Sequence, residues 1–397
     1  MGLGGWEGEV NWPLPYLQPV NNVKIFGLEI YPNLKDTIDY TWANIIKNIN
    51  LTVNMWATRR FMSLKSKVFI INCFILSKAW YIAQILPPPQ NVIDKIEKNV
   101  RKFLWKGFLE KIAYPETLLP KDKGGLSLPS VKHKAQALAT AQFCRFLKAK
   151  NTPTNAHLRY WLQISIPRFF EPSIGPRSQI SNQFFNDHKN LILKATQQGL
   201  ISPTEPCRTK CKGIYQAFVK NDQTDLLPKV EVKNPDRNWK LTWNRLFDKE
   251  IPLEFFDVFF KITHNIYPNN NRLLHMRLSP SENCSDCVNQ IDTNVHRFTQ
   301  CIKTKSTWSI VRFIVNRMSD DKWSSVSDET LLSLTFPKSR FQKDVIFLLF
   351  CFVNYVEEHR LSNAKMNANS FAGFLKFNVT TTRTGSYLKL KEILSLI

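Results

Sequence analysis

Two cysteines two residues apart, Cys284 and Cys287, are followed by His296 and Cys301 in the pattern C-x2-C-x8-H-x4-C. Three thiols and one imidazole within eighteen residues constrain this stretch more tightly than any hydrophobic pattern could. Zinc takes tetrahedral nitrogen and sulfur donors, and a closed Cys3His set leaves no open position for a substrate. The C-x2-C pair predicts a knuckle, a tight turn that aims both thiolates at one ion. His296 then comes from the next loop, and Cys301 from the start of a helix running from Ile302 to Val315 around Trp308 and Val311. The alternative is four residues scattered through a chain whose thiols are reduced. Spacings of this kind favour a metal site, so zinc is the expected cofactor.

The rest of the chain sets the class of partner. At 397 residues it has room for two or three domains, and a hydrophobic fraction of 43% supports packed cores. A net charge of +22 points to a polyanion, either nucleic acid or an acidic membrane surface. Eight cysteines in a chain of this length do not make a disulfide scaffold, and the first residues lack an apolar signal core, so an intracellular location is expected. The apolar run at 345–353 is too short to span a bilayer and reads as one buried helix. No membrane partner is expected.

Apolar periodicity predicts a mainly α chain. Residues 1–35 read as an irregular start and one short strand over 23–30, where apolar and polar residues alternate up to Pro32. Residues 36–150 read as a basic helical domain. Asp36 caps its first helix, whose stripe is Ile38, Trp42, Ile45, Ile49 and Val53. A nearly all-apolar helix follows from Ser63 to Ile85 and stops at Pro87-Pro88-Pro89, and a third runs from Asn91 to Trp105. Gly124-Gly125 predicts a short hairpin between Leu119 and Pro129, and an alanine-rich helix closes the domain. Residues 151–235, punctuated by prolines, read as linker-like and partly helical. Cys207 and Cys211 read there as ordinary thiols. Residues 236–318 hold the zinc-binding region, with His264 read as a packing histidine, and 319–397 hold C-terminal helices.

Between Arg59 and Lys150 the only acids are Asp94, Glu97, Glu110, Glu116 and Asp122. Lys65 and Lys67 fall in the first turn of a helix, where positive charge opposes the helix dipole. Together with Arg59 and Arg60 they are candidates for phosphate contact, as are Lys98, Arg101 and Lys102 on the third helix. The alternative is a solvated lysine face.

Taken together these stretches resemble the C-terminal third of a non-LTR (LINE-type) retrotransposon reverse transcriptase. Lys24-Ile25-Phe26-Gly27-Leu28 is similar to that family's strand just after the polymerase palm, with Phe26 in place of the usual leucine. Asn54-Met55-Trp56 through Trp80-Tyr81 and Leu86-Pro87 is similar to its thumb. Leu119-Pro120 through Gly124-Gly125-Leu126-Ser127-Leu128-Pro129, after Phe103-Leu104-Trp105, is similar to the segment beyond the thumb. Asp292-Thr293, His296, Phe298 and Cys301 are similar to the family's E-T-x-x-H-x-F-x-x-C, with Asp for Glu. The resemblance implies a helical thumb-like bundle and a CCHC zinc knuckle, RNA or DNA held through phosphates, and a former palm-facing surface open to a protein partner.

The departure from the family bears on activity. Reverse transcription needs paired aspartates in a strand turn before the thumb to hold two metal ions. The only Asp-Asp here, Asp320-Asp321, follows the zinc motif and reads as a solvated turn. No Gly-rich phosphate loop, G-x-S-x-G or H-E-x-x-H is present. No catalytic residue is therefore assigned, and the expected function is that of a non-enzymatic, nucleic-acid-binding remnant of such an element. The alternative is an inert or protein-binding fragment of the same origin.

Overall fold

The computed structural model describes residues 22–25, 27–59, 62–106, 111–148, 183–201, 210–222, 226–319, 323–362, 364–381 and 387–395. The chain is mainly helical, with 17 α-helices and one two-stranded sheet among the described residues. It divides into two compact units. One takes in residues 1–60, 69–108 and 129–226, and the other 61–68, 109–128 and 227–397.

In the first unit the expected single strand is a hairpin. Val23–Ile25 and Leu28–Ile30 pair antiparallel with Val23 opposite Ile30. Gly27 makes the reversal with a φ of +86°, a backbone state that costs glycine nothing. The alternating pattern was right about strand and blind to the turn inside it. The hairpin is tied to the Leu34–Ala57 helix, since Thr41 Oγ1 accepts from Glu29 N at 3.2 Å and Thr37 Oγ1 from Tyr31 N at 2.9 Å. Asn33, not Asp36, caps that helix, accepting from Lys35 N at 2.9 Å. Its stripe of Trp42, Ile45, Ile49 and Val53 is buried as the 3.6-residue spacing predicts, and it packs against the Gln90–Leu104 helix.

The apolar stretch after Ser63 is continuous: Leu64–Ile70, a π turn at Ile71–Ile75, then Ser77–Ala83. Taken as one span, Leu64–Ala83 has a mean hydropathy of 1.3 and is long enough to cross a membrane by length and composition. Ile71, Ile75, Leu76, Ala79, Ile82 and Ala83 nevertheless lie buried along one side of it. The Val131–Lys148 helix carries a second core. Ala137 and Cys144 pack with Ala195 and Ile201 and with Ile214 and Phe218. Apart from Ile201, which follows the first of them, these partners come from the Gln183–Gln197 and Cys211–Asp222 helices, in the stretch expected to be linker-like. Cys207 lies outside the described residues, and Cys211 is a free thiol.

The second unit is built around the Gln342–Ser362 helix. Every residue from Asp344 to Glu357 is buried, as an all-round apolar helix requires. The Phe256–Thr263, Lys305–Met318 and Ala368–Thr381 helices surround it. Phe259 stacks on Phe350 at 4.4 Å, Tyr387 on Phe347 at 4.2 Å, and Trp308 lies 5.1 Å from Phe352.

The expected hairpin at Leu119–Pro129 also falls in this unit, but it contains no strand. A turn of 3-10 helix, Lys121–Lys123, is closed by Gly125 N to Pro120 O at 3.1 Å, and Leu126 N reaches Thr117 O at 3.1 Å. Of the two glycines only Gly124 has a positive φ, +77°. A Cβ on Gly125 would sit 2.0 Å from Leu119 O, so the second glycine answers a close backbone approach and not a left-handed turn. His264 is the packing histidine expected of it. It stacks on Trp243 and its Nε2 lies 3.0 Å from Gly124 O, and burial holds its pKa down to about 4.

Candidate metal centre

The segment 282–304 has little apolar content of its own, and polar contacts shape it. Cys284 N donates to Gln290 O at 2.8 Å and Asp292 N to Glu282 O at 2.9 Å, closing a loop whose ends meet at an isolated bridge between Asn283 and Ile291. Asn289 takes a φ of +55° inside it, a state asparagine tolerates better than most residues. This is the expected knuckle. Asp292 is buried and anchors the next step. Its carboxylate pairs with Arg297, whose Nε lies 2.9 Å away, and accepts from Asn270 N at 2.7 Å. Thr293 Oγ1 then accepts from His296 N at 3.0 Å and starts a single helical turn. That turn ends as a π turn over His296–Gln300, with Cys301 N donating to His296 O at 2.8 Å. The following helix is Lys305–Met318, so Cys301 precedes it by a turn where the sequence had placed it at the start.

These devices bring all four expected ligands together. Their donor atoms lie within 4.8 Å of one another. Cys284 Sγ is 3.8 Å and Cys287 Sγ 3.7 Å from Cys301 Sγ. A tetrahedral ion with bonds of about 2.3 Å to sulfur requires sulfurs about 3.8 Å apart. Disulfide bonding needs contact at about 2 Å, which these sulfurs do not make. His296 Nε2 is buried without a hydrogen-bond partner, a costly state for a polar nitrogen and the ordinary one for a metal ligand awaiting its ion. Ile302 N points at Cys287 Sγ at 3.4 Å, the kind of N–H contact that stabilises a thiolate. Burial, with the neighbouring Cys284 and Cys287 sulfurs, pushes the Cys301 thiol up to about 12, and a bound cation would favour its thiolate. Cys284, Cys287, His296 and Cys301 can therefore hold a metal ion.

The candidate phosphate-binding residues are divided between the two units. Arg59 is exposed just past the Leu34–Ala57 helix in the first unit, and Arg60 lies outside the described residues. Lys65 and Lys67 belong to the second unit. The Lys65 ammonium lies 4.4 Å from the Phe256 ring centroid, and burial, with Lys121 nearby, lowers its pKa to about 8. Lys67 is only 5% exposed. On the Gln90–Leu104 helix the expected residues do share a surface. Lys98 and Lys102 are exposed with Lys95, opposite buried Ile93, Ile96, Val100 and Phe103, while Arg101 is half-buried. The Asp320-Asp321 pair lies outside the described residues.

Sequence reasoning missed Arg297, which holds the Asp292 carboxylate. Its only signal was an arginine directly after a ligand, which is too common a pattern to read.

No protein-family model matches the chain. A Xenopus laevis protein described as the transposon TX1 uncharacterized 149 kDa protein is 27% identical to it over 94 residues. The match covers 24% of this chain and 7% of that protein's length.

Proposed function

We propose that this chain derives from a LINE-type retrotransposon, that it holds one structural zinc ion, and that it binds nucleic acid inside the cell. The observation that carries the proposal is the Cys3His cluster, whose sulfur spacing suits a tetrahedral ion. The similarity to the TX1 transposon protein supports the origin. Zinc suits the donor set because three thiolates and an imidazole are soft to intermediate ligands with no redox demand. The four residues fill a tetrahedron, so the ion would fix the 282–304 loop and leave no position for a reacting group.

The net charge of +22 supports a polyanionic partner, and the Lys95, Lys98 and Lys102 face of the Gln90–Leu104 helix is the surface best placed to grip phosphates. In this proposal the chain alone carries no polymerase activity, and primer extension by the purified chain would overturn that part.

Two measurements test the rest. Elemental analysis of the purified chain is expected to find one zinc, lost in Cys287→Ser; full retention in that variant would sink the assignment. For a short duplex, log K falls with log salt by about 0.9 per neutralised phosphate. Changing Lys95, Lys98 and Lys102 to Ala should flatten that slope by about 2.7. Changing the exposed Lys210, Lys212 and Lys220 removes the same charge and should alter it much less. Equal losses would mean that the chain is merely a polycation.

A second reading has its own support. On the first unit, Phe69, Phe74, Leu51, Met55 and Tyr81 are exposed, and Trp56 lies 5.5 Å from Phe74. Exposed apolar groups of this kind suit a protein partner. Absence of salt-dependent duplex binding would favour that reading.

A further inference from the structure

Beside the metal loop the second unit has an open cleft of about 690 Å³, a size that suits one or two nucleotides. Three cationic side chains line it, Lys233, Arg237 and Arg272, against one carboxylate, Glu329. Five asparagines, at 234, 265, 269, 271 and 294, line it as well. Asparagine amides both donate and accept, as base edges and ribose hydroxyls do.

One wall is rigid and tied to the metal centre. Asn269 Nδ2 donates to Asn294 Oδ1 at 2.8 Å, and Asn294 Nδ2 reaches Asn265 Oδ1 at 3.3 Å. Arg272 Nη1 donates to Asn265 O at 2.8 Å. Asn294 lies between Cys287 and His296 in sequence, so an ion held by that loop would also brace this wall. On the other side the Arg237 guanidinium sits 4.7 Å over the Trp239 ring, which stacks in turn on Trp243 at 5.0 Å. Among the described residues no hydrogen bond or ion pair engages the Arg237 side chain. A flat cation backed by an indole and open to a cleft is a surface on which a base can stack.

We propose that this cleft binds a nucleotide of a single-stranded nucleic acid, with its base against Arg237, its phosphate near Lys233 and Arg272, and its base edge or sugar on the asparagines. The proposal rests on the nucleic-acid reading above and adds a strand state and a place.

The test uses the full zinc-loaded chain with three probes: a ten-nucleotide RNA, the DNA of the same sequence, and the matching DNA duplex. Lys233→Gln with Arg237→Gln should weaken single-strand binding about tenfold, and should flatten its salt slope by about 0.7, for the one phosphate contact that Lys233 makes. Duplex binding should stay within about twofold. Lys338→Gln with Arg340→Gln removes the same charge from exposed positions of the same unit and should do neither. Asn271→Asp, an isosteric change at a half-buried position, should weaken single-strand binding without loss of fold. Ultraviolet crosslinking of the wild-type chain should mark peptides within 233–239 or 265–276.

Equal effects of the cleft and control pairs, or crosslinks confined to 90–106, overturn the cleft and leave the nucleic-acid reading standing. Absence of binding to all three probes overturns both. A preference of RNA over DNA that Asn271→Asp abolishes would identify the ribose hydroxyl as the recognised group.

Discussion

Two regions of the second unit are held together by opposite means. The Gln342–Ser362 helix buries every side chain from Asp344 to Glu357 and stacks aromatic on aromatic with its neighbours. The 282–304 loop fully buries one large apolar side chain, Phe298, and leaves Val288 88% and Ile302 72% exposed. Its order comes from a buried ion pair, a few backbone bonds and four inward-facing metal donors. Hydrophobic burial is proportional to area and forgiving of any single loss. A metal site is all or nothing, because its binding energy is also the folding energy of the loop. With an ion on the four donors, one unit would contain a region held by broad apolar burial and a region that depends on a single ion.

Withdrawing the ion is the largest perturbation of that contrast. Structural zinc contributes about 10–16 kcal/mol of apparent binding energy in small modules. With a strong chelator, or in Cys287→Ser, the amides of Cys284, Asp292 and Cys301 should lose their hydrogen-exchange protection. Those of the Gln342–Ser362 helix should keep it. Simultaneous loss in both regions would show that the unit is one cooperative body and that the contrast is false.

Both regions were legible in the sequence because both signals are local. The metal ligands lie within eighteen residues, and the long helix announces itself by an unbroken apolar run. What failed to show was whatever depends on distant partners. Lys67, a candidate phosphate contact, is buried, and a local pattern of charge does not report burial. The glycines at 124 and 125 were read as a turn pair, and only the structure shows that Trp243 faces the first and Leu119 O the second. The cleft draws on residues from Val230 to Ser333, and nothing within any ten of them marks it as a site. Asparagine runs such as Asn269-Asn270-Asn271 read as turn chemistry, which they also are.

A smaller effect tests the forgiving region. Phe350 is fully buried and stacks on Phe259. Phe350→Ala should cost about 3–5 kcal/mol in urea unfolding, the usual range for removing a buried aromatic. Zinc content should remain one per chain, since the cavity opens in the helical core and leaves the four ligands in place. Loss of metal in Phe350→Ala would mean that the helical core holds the loop, and the two regions would no longer be separable.

The smallest perturbation probes how far the loop is ordered before the ion arrives. Thr293 Oγ1 accepts from His296 N, and Thr293 O accepts from Arg297 N at 2.9 Å, so Thr293 caps the turn that presents His296. Replacing a capping threonine by alanine costs about 1 kcal/mol, and about 1.4 kcal/mol is tenfold in affinity. If the cap orders the turn in advance, Thr293→Ala should weaken zinc binding about fivefold in competition with a chromophoric chelator. Thr293→Ser keeps the hydroxyl and should restore most of that affinity. Unchanged affinity in Thr293→Ala would mean that the ion organises the turn without the cap, helped by the buried Asp292–Arg297 pair and the backbone bonds of the loop. The loop would then contrast with the Gln342–Ser362 helix even more sharply, with almost none of its order independent of the metal.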